Sequence, residues 1–322
     1  MEYDDLAARL SDRTRIGMSD SLADKLKMKS TDAARGALLA SSDGGKGMLG
    51  VYLLAIYVVD DTDFWSDGEI YWWSIPTLVR KDGGASWDAM HGLPGGAPPH
   101  KCGDLEWMTN LALKTPPLLA VIPPDDDVAT CVIRMAVYDD DGAIADFPKA
   151  MEAGYEALAA CKPEGLKGAD NILSPVREAI FKSLRGEQDD IIVEEDINLA
   201  RADARFGLGF VGVVTRPKGR VYYFVKDELR TKTAGPVSLA KGQSDTLKLE
   251  DTTVQAGGRI AVFARGAVKG TQISCGVLGE LTNDRPFIGE VLDTAKAAAV
   301  NAGIPVTAKG DAQVVMFYTP PG

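Results

Sequence analysis

Histidine is almost missing from this sequence: its 322 residues include only His91 and His100. The cysteines, Cys102, Cys131, Cys161 and Cys275, are scattered and form no Cys-x-x-Cys pair. A structural zinc site draws on closely spaced sulfur and nitrogen ligands, so the composition argues against one. So few cysteines in so long a chain do not make a disulfide scaffold either. Cys131, inside an apolar run, reads as a small core residue. Basic residues are outnumbered, with 35 Lys and Arg against 46 Asp and Glu and a net charge of −11. A nucleic-acid binder needs a basic surface, so nucleic acid is not an expected partner. No apolar run approaches the roughly eighteen residues that would span a membrane. The opening residues, MEYDDLAARL, are acidic and carry no apolar leader. They predict a chain that is cytoplasmic at synthesis, with later export by a non-classical route left open.

What the chain has instead is acid at the ends of apolar runs. YLLAIYVVDDTDFWSDGEIYWWSIPTLV, from Tyr52 to Val79, reads as an apolar strand, an acidic turn and an aromatic strand. CVIRMAVYDDDGAIADF, from Cys131 to Phe147, repeats that grammar, ending in Asp139, Asp140, Asp141 and Asp146. A third acidic run, Asp125 to Asp127, follows Pro123 and Pro124. Alternation of apolar and polar residues is the signature of half-buried strands. The expected fold is mainly β with α: an antiparallel β-sandwich with a helical insertion, an N-terminal helical arm and a C-terminal β-rich region. If one sheet edge gathers the three acidic loops, they meet at one end of the sandwich, where a hard cation would offset their repulsion; loops at opposite poles would count against that cation.

In chain order, residues 1–47 read as the helical arm and its connector, and residues 48–232 as the sandwich. Within the latter, residues 81–107 are dense in Gly and Pro and read as one long irregular loop. Helices are expected over about 147–186, where Ser174 followed by Pro175 has the form of an N-cap and first helical residue. FGLGFVGVV and VYYFVKDEL make a hairpin around Arg216 to Gly219. Gly207, Gly209 and Gly212 sit in the first of these with no helix after them. They therefore read as close sheet packing rather than a phosphate cradle. Residues 233–322 read as a small β-rich unit with a helix at 293–302.

The acidic turns carry the chemistry. Calcium takes six to eight hard oxygens, commonly from aspartates on several loops. Ser66-Asp67-Gly68-Glu69-Ile70-Tyr71 and Tyr138-Asp139-Asp140-Asp141 with Asp146-Phe147 together resemble the loop motifs of the calcium-dependent phospholipid-binding β-sandwiches, the C-two type family. The resemblance covers residues 48–147 and lacks that family's proline in the first motif. It implies calcium as cofactor and Asp61, Asp67, Asp139, Asp141 and Asp146 as metal ligands. It also implies membrane lipid as a partner through Phe64 and Trp65 at the tip of the first acidic loop. No nucleophile elbow, metal-ligating histidine pair, Walker loop or kinase signature occurs. The leading expectation is therefore a non-enzymatic, cation-dependent binding or assembly protein with protein partners or a homo-oligomeric state. The alternatives are a structural subunit of a larger bacterial or viral assembly, and a metal-assisted hydrolase.

Overall fold

The computed structural model describes residues 47–61, 68–87, 91–92, 100–108, 113, 116–139, 153–154, 156–157, 160–161, 168–184, 190–266 and 271–322. The expected helical arm lies outside these residues.

The described chain forms four antiparallel sheets packed as successive layers. Sheet I is built on β2 (Gly68–Arg80), β8 (Val128–Asp139) and β9 (Asp190–Ala200). Three short strands lie along β2: β3 (Ala85–Trp87), β4 (His91–Gly92) and β5 (His100–Cys102). Sheet II holds β1 (Leu49–Val58), β6 (Glu106–Trp107), β7 (Leu118–Ile122), β10 (Val211–Arg216) and β11 (Gly219–Asp227). Sheet III has the order β12 (Lys232–Leu239), β19 (Ala312–Thr319), β14 (Arg259–Gly266), β17 (Phe287–Val291). Sheet IV has the order β13 (Ser244–Leu247), β18 (Ile304–Ala308), β15 (Gln272–Ser274), β16 (Glu280–Thr282).

Side-chain alternation explains the layering. Along β14, Ile260, Val262 and Ala264 pack into the core between sheets III and IV, while Ala261 and Phe263 face sheet II. Along β19, Val314, Met316 and Tyr318 point one way and Val315 and Phe317 the other. Such strands are buried on both faces, so they read as continuous apolar runs rather than half-polar ones. Strand β1 is buried at all ten positions for the same reason. Its Leu49, Val51 and Leu53 face sheet I, and a bulge between Leu53 and Ala55 then shifts the phase so that Ile56 and Val58 continue that face. Without the extra residue, everything beyond it would turn to the opposite side.

Several expectations need correction. The stretch 81–107 is not one irregular loop, since β3, β4, β5 and β6 all fall within it. Helix α1 (Asp170–Leu184) begins before Ser174 and keeps Pro175 inside its second turn, so Ser174 is not the cap. The helix is instead fixed by its apolar stripe, Ile172, Leu173, Val176 and Ile180, buried on sheet I. Gly207 and Gly209 lie before β10 rather than in it, in a left-handed turn where Arg205 and Phe206 also have positive φ of 56° and 64°. Gly212 does pack as expected, since a Cβ there would sit 2.1 Å from the Tyr223 ring. Helix α2 (Thr294–Ala302) starts at an Asp293 cap whose carboxylate accepts from Lys296 N.

Candidate cation site

Beyond β1 the chain runs Val59, Asp60, Asp61. Backbone amides of Val59 and Asp60 donate to Lys218 O at 2.8 and 3.2 Å, which directs this turn along the β10–β11 hairpin. Strand β6 pairs with the end of β1, Tyr57 opposite Trp107 and Val58 opposite Glu106. Continued outward, that antiparallel register sets residue 60 across from residue 104. Asp104 sits in the turn between β5 and β6, which is closed by Gly103 N donating to Glu106 Oε2 at 3.2 Å and by Leu105 at φ 58°. Asp61 N donates to Asp104 Oδ1 at 2.9 Å, joining the two turns. As a result, one carboxylate oxygen from each of Asp60, Asp61 and Asp104 lies within 4.8 Å of the others. Asp60 and Asp104 are exposed, and Asp61 is 3% exposed.

Asp61 also reaches the first residue of β2, its Oδ2 accepting from Gly68 N at 3.3 Å. Gly68 in turn leaves room for Asp139, which ends β8 and is fully buried. A Cβ at position 68 would lie 2.4 Å from Asp139 Oδ2. Two buried carboxylates, one from the turn after β1 and one from the end of β8, therefore approach the same glycine. Burying carboxylates costs several kcal/mol unless hydrogen bonds or a cation offset it.

Of the five expected ligands, Asp61 and Asp139 meet at Gly68, while Asp67, Asp141 and Asp146 lie outside the described residues, as do Phe64 and Trp65. Asp60 and Asp104 are not among the expected ligands. The expected gathering of all three acidic runs does not occur. Asp125 to Asp127 precede β8 and Asp139 ends it, so a strand of 12 residues separates them, about 36 Å at the usual rise. That run is instead held by Arg201, which bonds Asp125 O and pairs with Asp126 at 3.3 Å.

The donors at the corner are all hard oxygens. Three carboxylates, two of them open to solvent, fit calcium with water completing the shell, and magnesium less well because it demands stricter octahedral geometry. A concave feature of about 420 Å³ lies between α1 and sheet I, lined by Arg134, Ser174, Arg177, Glu178, Glu194, Glu195 and Asp196. Here arginine meets each strand carboxylate. Arg134 donates from Nε and Nη2 to Asp196 at 2.7 Å each, Arg177 pairs with Glu194, and Arg216 with Glu195.

No family model matches this chain, and no curated protein does. Among solved structures, it is similar at 8% identity and a TM-score of 0.22 to human GIVD cytosolic phospholipase A2 in complex with methyl gamma-linolenyl fluorophosphonate. That match covers 85% of this chain and 32% of the other. A second complex of the same enzyme, also holding terbium chloride, matches at 7% identity and the same TM-score of 0.22. The chain thus spans about a third of the solved structures it matches, and likeness at this level carries no argument about function. No helix among the described residues is long and apolar enough to cross a membrane.

Proposed function

We propose that this protein is a non-enzymatic, cation-dependent binding or assembly protein whose cation, calcium, sits at the acidic corner formed by Asp60, Asp61 and Asp104, with Asp139 behind it. The observation that carries this reading is the approach of three carboxylate oxygens to within 4.8 Å of one another from two separate turns. At such separations like charges repel strongly, and a divalent cation turns that repulsion into coordination. The likeness of Ser66 to Tyr71 and of Tyr138 to Phe147 to the C-two type loops supports the same reading. With Asp60 and Asp104 exposed, a calcium ion here keeps open positions toward solvent. Anionic groups of a partner, whether protein carboxylates or lipid phosphates, would complete its shell. That would also reconcile a chain of net charge −11 with an anionic surface.

Calorimetric titration of calcium into metal-free protein tests this, alongside an Asp61→Asn, Asp104→Asn double variant. The expected result is saturable binding by the native chain, weakened about tenfold or more in the variant. Calcium at about a hundred times its Kd should also add about 2.7 kcal/mol to the native protein's stability. Flat heats and an unchanged melting temperature would sink the proposal, making the acidic turns solvated and moving the assembly-subunit reading to the front.

A further inference from the structure

The turn that carries Asp104 is anchored on its far side by sheet III. Three residues beyond Asp104, the Trp107 ring lies 4.8 Å from Tyr57 of β1, 5.6 Å from Tyr222 of β11 and 6.3 Å, edge-on, from Phe263 of β14. The next residue is held from both sides: Met108 N donates to Ile56 O at 2.9 Å, and Met108 O accepts from Arg265 Nη1 at 3.1 Å. Arg265 belongs to β14, is 6% exposed, and also bonds Gln313 of β19 through Nη2. A buried guanidinium is tolerated only where acceptors meet its donors, so its bond to a loop carbonyl is directional. From Met108 to Asp104 is only four residues, two of them in β6. The constraint therefore passes through a short, paired segment to the Asp104 carboxylate and on to the Asp61 amide.

We infer that Arg265 is a positioning residue for the acidic corner: through Met108 and Trp107, sheet III sets where Asp104 stands relative to Asp61. The inference rests on the calcium reading for its functional meaning, but the mechanical coupling can be measured without any metal. Arg259 provides a matched control. It too belongs to β14, six residues from Arg265 along the strand, and it bonds Leu208 O and lies 4.9 Å from the Phe210 ring, in the turn before β10.

Hydrogen exchange at the Asp61 amide and calcium affinity would be measured in native protein, Arg265→Met, Arg259→Met and the milder Gln313→Ala. Arg265→Met should speed Asp61 exchange and weaken calcium binding, each about fivefold or more, in the usual range of intramolecular coupling. Gln313→Ala should act in the same direction by a smaller factor, which keeps the test usable if Arg265→Met does not fold. Arg259→Met should leave both readouts at native values whatever it does to the melting temperature. Unchanged Asp61 exchange in Arg265→Met, or equal acceleration in Arg259→Met, would overturn the coupling. If native protein takes up no calcium, the site reading fails, and the exchange data alone still decide whether sheet III holds the turn.

Discussion

Acid is used in two ways on this molecule. Along β9, Glu194, Glu195 and Asp196 are consecutive, and each has an arginine against it, from α1, β10 and β8 respectively. At the corner beyond β1, Asp60, Asp61 and Asp104 are brought together from two turns, and backbone amides do the gathering: Asp61 N bonds Asp104, and Gly68 N bonds Asp61. The β9 strip is neutralised where it stands, so its charge serves to clamp α1 and β10 to sheet I. At the corner the amides orient carboxylates from two turns so that their oxygens converge within 4.8 Å of one another, an arrangement of hard donors that a cation can use. The strip's carboxylates each face a guanidinium, whereas the corner's face one another.

The largest expected effect would break this comparison outright if it went to the wrong region. Glu194→Gln with Asp196→Asn should leave the calcium titration as it is in native protein, whereas Asp61→Asn with Asp104→Asn removes it. Calcium heats that followed the β9 variant would locate the cation in the arginine-lined cavity and invert the argument. Next in size is Arg134→Met. Its guanidinium side chain is 15% exposed and bonds both Asp196 oxygens at 2.7 Å. Removing it leaves a carboxylate that is only 25% exposed. The cost should be about 2 kcal/mol, discounted for the water that still reaches Asp196. Denaturant unfolding would measure that cost, and calcium affinity should not move.

Gly68→Ala tests the corner from inside. The added methyl would stand 2.4 Å from an Asp139 oxygen, so either β2 or the Asp139 carboxylate must give way. Overpacking of this kind costs about 1 to 2 kcal/mol. Because Gly68 N also holds Asp61, calcium affinity should fall along with stability, unlike in Arg134→Met. Native calcium affinity in a destabilised Gly68→Ala protein would place Asp139 outside the working site.

Much of this was legible in the sequence, and the part that was not has identifiable causes. Strands β1, β2, β8, β9 and β11 announce themselves by apolar or alternating runs, and Asp61 and Asp139 stand where such runs stop. Asp104 could not be found that way. Its neighbour β6 is two residues long, too short to show a period, and its partner Tyr57 lies some fifty positions earlier. Only the register of Tyr57 with Trp107 brings Asp104 across from Asp60. The third acidic run stands apart for a related reason: Asp125 to Asp127 and Asp139 bracket one strand, and a strand carries its two ends to opposite poles. Gly207 and Gly209 read as strand because a left-handed turn containing the buried Phe206 looks in one dimension like more strand.

The smallest expected effect sharpens the comparison most. Arg177 pairs with Glu194 as Arg134 pairs with Asp196, yet the Arg177 side chain is 44% exposed and Glu194 20%. Its hydrogen bond to Glu194 raises the guanidinium pKa, but water near so open a group competes for the same contacts. Exposed ion pairs contribute about 0.2 to 1 kcal/mol, and screening by salt lowers that further. Arg177→Met should therefore cost well under half of what Arg134→Met costs, and molar salt should erase most of it while leaving the Arg134→Met deficit largely in place. If both variants lost the same stability and responded alike to salt, burial would not be what separates the two pairs. The β9 strip would then be a uniformly solvated array, and its arginines could no longer be credited with clamping α1 to the sheet.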